Sequence, residues 1–288
     1  MKNSNNIFLH TVLWFVVTAQ PSAQLLGQDT QQPEAVGKGT CMACHDVGPA
    51  FFQTPHTDLE CESCHGAGSG HIAEGFDKSL SFNEKSSGWA ISQCLGCHQD
   101  NAEHSGFLNS AHGRNSVSCV ACHQLHPTKP NFGLLKGEQK DLCTSCHPAT
   151  RADFRKPFHH PVLEGGIVCS DCHSPHTEDN RPLGRLAVGP GEGCLSCHSD
   201  KKGPFVFEHP PGLVNSCQTC HEPHGSINPK MLRRTQVVQL CLECHSMTPG
   251  VAAIQPPAFH DIRSARYRNC TTCHREIHGS NVDPAFFR

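Results

Sequence analysis

The apolar positions of the 288-residue chain concentrate in one run and are otherwise scattered. The run, residues 7–17, follows Lys2 and a polar stretch, and small residues follow it up to Ala19 or Ala23. This order is typical of a secretory signal peptide, because the run is too short to cross a bilayer. We therefore predict a signal peptide at residues 1–23, cleaved after residue 19 or 23, and a periplasmic mature protein.

The remaining chain lacks the helical or strand periodicity that builds a conventional core. Residues 24–40 are rich in Gln, Pro and Gly, which predicts a flexible leader. After residue 40, short segments alternate with glycine and proline. We predict mostly loops with short α-helices, little or no β-sheet and no further membrane span.

One motif, C-x-x-C-H, recurs ten times and uses all 20 cysteines, so none remains for a disulfide. In c-type haem attachment the two thiols bond the porphyrin vinyls and the histidine takes one axial position on iron. On one helical turn these three side chains share a face. The predicted attachment residues are Cys41, Cys44, Cys61, Cys64, Cys94, Cys97, Cys119, Cys122, Cys143, Cys146, Cys169, Cys172, Cys194, Cys197, Cys217, Cys220, Cys241, Cys244, Cys270 and Cys273. The predicted proximal ligands are His45, His65, His98, His123, His147, His173, His198, His221, His245 and His274.

Zinc knuckles and redox dithiols also use C-x-x-C pairs. Neither requires a histidine after the second cysteine in all ten cases, so we interpret the motifs as sites for ten covalent haem c groups. Roughly 27 residues would then serve each haem, and the porphyrins would supply most of the apolar interior. The predicted fold is a multihaem cytochrome c, an elongated shell of loops and short helices around a haem stack.

Charge changes once the haems are counted. The chain carries a formal charge of -3, and each bis-histidine ferric haem with two propionates adds roughly -1. The holoprotein is therefore expected to be strongly acidic, and no nucleic-acid partner is predicted.

The motifs form an internal repeat that holds two haems. The first cysteines of the even-numbered motifs lie at positions 61, 119, 169, 217 and 270, a period near fifty residues. Each even-numbered motif is preceded and followed by one further histidine. The ten predicted distal ligands are His56, His112, His160, His209 and His260 before these motifs, and His71, His126, His176, His224 and His278 after them.

Histidine ligands on both sides of every iron would leave no open coordination position, which predicts an electron carrier and not an enzyme. His160 is preferred to His159 because His160-Pro161 matches His209-Pro210. His104 and His159 are interpreted as surface residues.

Three distal candidates, His126, His176 and His224, follow a proximal histidine by three residues. From that position the side chain points to the same side of the turn and cannot reach the opposite face of the same haem. Each is therefore expected to ligate a different haem.

The ten motifs, elements such as His221-Glu-Pro-His224-Gly-Ser, the H-P-V-x-E-G run at 160–165 and the export signal resemble periplasmic decahaem cytochromes of the MtrA/DmsE family. The resemblance implies two pentahaem halves, 41–150 and 151–288. It also implies a haem wire inside an outer-membrane β-barrel protein. Its donor would be a periplasmic or inner-membrane cytochrome, and its acceptor an outer-surface cytochrome or terminal reductase. The spacing of His71 and of His278 and the insertion at 75–92 depart from the pattern.

Three alternatives use the same cofactors. A soluble periplasmic shuttle would need no barrel, a multihaem reductase would need one open iron, and a filament would need haems exposed at both ends of the array.

Overall fold

The computed structural model describes residues 32–76, 78, 80–129, 132–177, 192–209, 217–245, 260 and 262–287. The predicted signal peptide and cleavage positions lie outside these residues. The described part consists of loops and short helices and contains no β-strand, only isolated bridges such as Phe158 with Ser226. The predicted secondary-structure class is thus confirmed.

The α-helices of the described residues are four to twelve residues long. They are α1 (Lys38–Met42), α2 (Glu62–His65), α3 (Ser69–Ala73), α4 (Ser87–His98), α5 (Ala111–Arg114), α6 (Cys119–Cys122), α7 (Gln139–Cys146), α8 (Pro148–Asp153), α9 (Glu192–Leu195) and α10 (Val237–Cys241). Single 3₁₀ turns lie at Phe51–Gln53, Phe82–Glu84, Phe107–Asn109, Phe132–Leu134, Cys169–Asp171, Ser199–Lys201, Cys217–Thr219, Pro229–Met231, Ala265–Tyr267 and Cys270–Thr272.

The C-x-x-C-H motifs fold as single helical turns, even where no longer helix forms. In the sixth motif, for example, the His173 amide donates to the Cys169 carbonyl at 2.9 Å, and the same bond recurs at His221 and His274. This i to i−4 bond brings both cysteines and the histidine to one face. The longest helix, α4, is capped by Ser86, whose hydroxyl accepts from the Trp89 amide, and carries the third motif at its end.

Buried apolar side chains are few in the described residues and are spread along the chain. They are Ala50, Ala90, Ile91, Phe107, Phe154, Val162 and Val238. They form no continuous core of the size that usually stabilises a chain of this length. The fold therefore depends on contacts around the motifs.

The end of the predicted flexible leader is ordered against the second motif. The Glu62 carboxylate accepts hydrogen bonds from the amides of Val36 and Gly37 at 2.8 and 2.9 Å and from Gly68 at 2.8 Å. Helix α1 also begins at Lys38, before residue 40. Val36 and Gly37 thus belong to the fold, because a carboxylate 26 and 25 residues downstream accepts from their amides.

Neighbouring repeats are joined by short backbone bridges. Phe158 exchanges two hydrogen bonds with Ser226, and Phe207 exchanges two with Ser280. Each bridge links the segment that precedes one even-numbered motif to the segment that follows the next even-numbered motif. The junction predicted between residues 150 and 151 falls inside α8, so this helix marks no break there, and the division into halves stays a prediction.

Candidate haem sites

The structure brings every predicted proximal histidine beside one predicted distal histidine, and uses each distal candidate once. We number the sites by motif in chain order. The pairs, with the distance between ring centres, are His45–His71 (6.1 Å), His65–His126 (6.1 Å), His98–His56 (6.0 Å), His123–His176 (5.9 Å), His147–His112 (6.2 Å), His173–His224 (5.8 Å), His198–His160 (6.2 Å), His221–His278 (6.3 Å), His245–His209 (6.2 Å) and His274–His260 (6.2 Å).

This spacing fits two imidazoles on opposite sides of one metal. An imidazole nitrogen bonds a first-row metal at about 2.0 Å, and its ring centre lies about 1 Å further away, so two ligands in line span about 6 Å. Direct contact between two rings brings the centres closer, as it does for the tilted pair His104 and His176 at 4.6 Å. The donor set therefore fits haem iron at each site.

Backbone carbonyls hold several of these rings in the orientation that iron ligation requires. The Nδ1 atoms of His65, His123 and His221 lie 2.7 to 2.8 Å from the carbonyl oxygens of Leu80, Gly133 and Lys230. His274 Nδ1 is 2.5 Å from the Ala285 oxygen, and His160 Nδ1 is 2.7 Å from that of Pro223. A proton on Nδ1 that donates to a carbonyl leaves the lone pair of Nε2 free for a metal.

The pairing follows a simple rule along the array. The histidine that precedes an even-numbered motif pairs with the proximal histidine of the odd-numbered motif that follows it. His56, which precedes the second motif, thus pairs with His98 of the third. The histidine after an even-numbered motif pairs with the motif two positions earlier, as His224 does with His173. His71 and His260 depart from the rule, because it would assign them to motifs before the first and after the tenth. They pair instead with His45 and His274, which completes the set.

Partial removal from water favours the neutral form of several distal rings, which is the form that binds a metal. Removal from water is the first cause that lowers the pKa of His56, His126, His209 and His278. At site 4 burial, followed by the neighbouring His104, lowers the pKa of His176 to about 4. These imidazoles can therefore donate a lone pair at neutral pH without first losing a proton.

The cysteines join consecutive motifs in chain order. First cysteines are neighbours between an odd-numbered motif and the next, in the pairs Cys41–Cys61, Cys94–Cys119, Cys143–Cys169, Cys194–Cys217 and Cys241–Cys270. Second cysteines are electrostatic neighbours between an even-numbered motif and the next, in the pairs Cys64–Cys97, Cys122–Cys146, Cys172–Cys197 and Cys220–Cys244. The motifs thus form one unbranched series from first to tenth.

Two histidines expected at the surface make defined contacts. The ring of His104 lies between His98 and His176, and its Nδ1 is buried. His159 Nδ1 is within hydrogen-bond distance of the Lys156 carbonyl oxygen, and its Nε2 is within hydrogen-bond distance of the Glu164 carboxylate. The His159 side chain is 22% exposed. The contact of His104 could not be predicted from the repeat pattern, since only the folded chain brings residues 104 and 176 together.

Two phenylalanines that the sequence analysis did not identify pack against distal histidine rings. Phe51 lies 5.2 Å from His126, and Phe154 lies 5.2 Å from His224, both at an interplanar angle of 54°. Each phenylalanine lies shortly before the upstream distal histidine of its own repeat. That recurrence is a signal that sequence reasoning could have used.

Within the described residues, no helix is long and apolar enough to cross a membrane. In the same residues, no three or more His, Cys, Asp or Glu side chains converge to hold a bare metal ion.

Two family models match the chain. A doubled CXXCH motif model matches residues 159–203 and 209–249, and a model of NrfB-like c-type cytochromes matches residues 61–140. Paired motifs of this kind indicate covalently bound haem c. The chain is therefore a multihaem c-type cytochrome.

Curated relatives narrow the family. The chain is 34% identical over 273 residues to the multiheme cytochrome MtrA of Shewanella baltica, an alignment that covers 85% of this chain and 79% of that protein. It belongs to the MtrA family of multihaem cytochromes. It is also 29% identical over 162 residues to the c-type cytochrome NrfB of Escherichia coli, covering 49% of this chain and 84% of NrfB. Over 153 residues it is 25% identical to NrfH, a cytochrome c nitrite reductase subunit of Nitratidesulfovibrio vulgaris, covering 53% of this chain and 75% of NrfH. The expected family resemblance is thus confirmed.

Proposed function

We propose that the chain is a periplasmic decahaem electron conduit in which every iron has two histidine ligands. The observation that carries this proposal is the set of ten histidine pairs with ring centres 5.8 to 6.3 Å apart. The haem group supplies one-electron chemistry at its iron when bound. The chain would anchor each porphyrin through two thioethers and orient several of the imidazoles through Nδ1.

Saturated coordination favours electron transfer over catalysis. A substrate that binds iron needs a vacant or exchangeable position, and a histidine stands at each candidate axial position. The unbranched series of cysteine contacts supports electron movement from one motif to the next. A reductase would need one site that breaks the pairing.

The likeness to MtrA supports a conduit across the outer membrane, with a β-barrel protein around the haem array. A periplasmic or inner-membrane cytochrome would exchange electrons at one end, and an outer-surface cytochrome or terminal reductase at the other. The export signal predicted at 1–23 fits this location, since c-type haem must be attached outside the cytoplasm in such proteins.

Low-temperature EPR of the purified ferric holoprotein, with a haem-to-protein ratio from pyridine haemochrome and protein mass, tests the haem sites. We expect ten haems per chain and only low-spin bis-histidine signals. A stoichiometric high-spin signal in the wild-type protein would contradict the carrier assignment and favour the reductase.

Membrane fractionation tests the barrel separately. We expect the native cytochrome to co-purify with outer-membrane vesicles and to resist external protease until detergent opens the barrel. Quantitative release in the periplasmic fraction, with ten low-spin haems, would support the soluble shuttle.

A further inference from the structure

His104 stands beside the axial position of site 4, although the pairing rule assigns it no iron. Its ring centre lies only 4.6 Å from that of the distal candidate His176. It also lies 5.4 Å from His98, the proximal histidine of site 3. A second imidazole therefore adjoins the coordination sphere of one haem.

At sites 2 and 6 the equivalent position is filled by a side chain that cannot bind iron. Phe51 packs on His126 at site 2 and Phe154 packs on His224 at site 6, each at 5.2 Å. At site 4 the corresponding Phe107 is further away, at 6.5 Å, and His104 comes closest to the distal ring. The exchange of a phenyl contact for an imidazole contact introduces a metal-binding group.

No described side chain or carbonyl restrains the His104 ring through Nδ1, which is buried without a hydrogen-bond partner. The residue lies in an irregular turn, held by the bond of its backbone amide to the Asn101 carbonyl. Residues 101–103 and 105 of this turn are exposed. Small backbone or χ1 changes there can thus move the imidazole without disturbing a helix.

We propose that His104 is an alternative axial ligand for the iron of site 4, able to replace His176 opposite His123. The inference rests on the proposed bis-histidine ligation of this site. In the exchange, the bond from iron to His176 breaks and the lone pair of one His104 ring nitrogen forms a new bond. One neutral imidazole replaces another, so no electron or proton is transferred.

The test is the spin state of the ferric holoprotein carrying His176→Ala, purified without imidazole and measured near neutral pH. We expect low-spin signals and ten haems, because His104 fills the vacated position. The matched control is His224→Ala, which opens site 6 where Phe154 is the neighbour. It is expected to show one high-spin haem in ten.

The double variant His104→Ala/His176→Ala should show the high-spin signal that His176→Ala lacks, whereas His104→Ala alone should stay low-spin. The variant His104→Met/His176→Ala adds a positive signature, since His–Met coordination gives a near-infrared charge-transfer band and raises the potential of that haem. His176→Gln, closer in volume, replaces His176→Ala if the latter does not accumulate.

High-spin His176→Ala with a normal haem count would overturn the inference and leave the proposed function intact. A double variant that stays low-spin would also overturn it, because another ligand would be responsible. Low-spin His224→Ala would instead refute the pairing at site 6, and with it the premise of both proposals.

Discussion

Gly225 provides a direct test of how the repeats interlock. It lies between His224 and Ser226, and its φ of +151° belongs to a region that side chains rarely adopt. A Cβ atom built there would lie 2.2 Å from the Asp153 carbonyl oxygen and 3.2 Å from the Cβ of His159. Gly225→Ala must therefore push two repeats apart.

The expected cost has two parts. Holding a non-glycine residue in this backbone conformation costs about 1–3 kcal/mol, and relieving the overlap with a backbone atom costs about 1–3 kcal/mol more. A carbon atom needs about 3.4 Å from the Asp153 oxygen, so the two segments must separate by roughly 1 Å. The bridge between Phe158 and Ser226 and the ring of His224 then move together.

Guanidinium unfolding followed by haem absorbance measures the loss, and EPR reports the iron of site 6. We expect the free energy of unfolding to fall by about 2–6 kcal/mol and part of the haem to become high-spin. The control is Gly88→Ala, which meets no atom within 4 Å and lies in α4 outside the haem motif, where alanine is favoured by up to about 1 kcal/mol. A Gly225→Ala protein as stable and as low-spin as the control would refute the interlocking argument.

Three further predictions concern other parts of the chain. Glu62→Gln should weaken the hydrogen bonds from the Val36 and Gly37 amides to this side chain, here called the Glu62 clamp, by about 1–3 kcal/mol. Hydrogen exchange of these two amides should become faster, and unchanged exchange would contradict the prediction. Burial opposes the charge of Glu62, but bonds from Gly37, Val36 and Gly68 outweigh it and lower its pKa. In the wild type the stability that the Glu62 clamp contributes is therefore fully present at pH values above the ordinary carboxyl pKa. It is lost as the pH falls through the lowered pKa of Glu62 in the folded protein. Phe287→Ala removes the ring stacked 4.8 Å from His274 and should shift the reduction potential of one haem, whereas Leu108→Ala, 59% exposed, should shift none. Without haem the chain should show no cooperative unfolding by circular dichroism, because buried apolar side chains are few; a cooperative transition would contradict this.

Local chemistry could be predicted from the sequence because it is encoded within a few residues. The spacing of Cys169, Cys172 and His173 fits one helical turn, and the structure forms that turn with an i to i−4 bond. The scarcity of strands followed from the lack of alternating apolar positions. The set of distal candidates also came from counting histidines around the repeat, although their ligation of iron stays a prediction.

The partners of those histidines could not be predicted, because they depend on how separate repeats pack. His112 and His147 are 35 residues apart, and His173 and His224 are 51 apart, with other histidines in between. Contacts of His104 and the clamp by Glu62 were hidden for the same reason. The spacing along the chain does not show which residue of another repeat a carboxylate or imidazole contacts. A phenylalanine that recurs at the same place in each repeat can be recognised from the sequence.

The pairing rule makes a strong prediction about the length of the array. Deleting residues 159–208 removes motifs six and seven together with two distal candidates, His160 and His176. The rule then assigns His224 to the site of His123, and His209 keeps His245. Each of the eight remaining irons therefore still has one proximal and one distal histidine. We expect a folded protein with eight haems, all low-spin.

Deleting residues 159–183 instead removes only the sixth motif, with the same two distal candidates. His198 of site 7 then loses His160, and the rule offers it no replacement because the alternation of odd and even motifs is broken. At least one of nine haems should be high-spin, and the array should be less stable. If both deletions behaved alike, whether both low-spin or both high-spin, the two-motif repeat would not be the unit that assigns ligands. The haem count and EPR spectrum of the pair thus test whether ligation is set repeat by repeat.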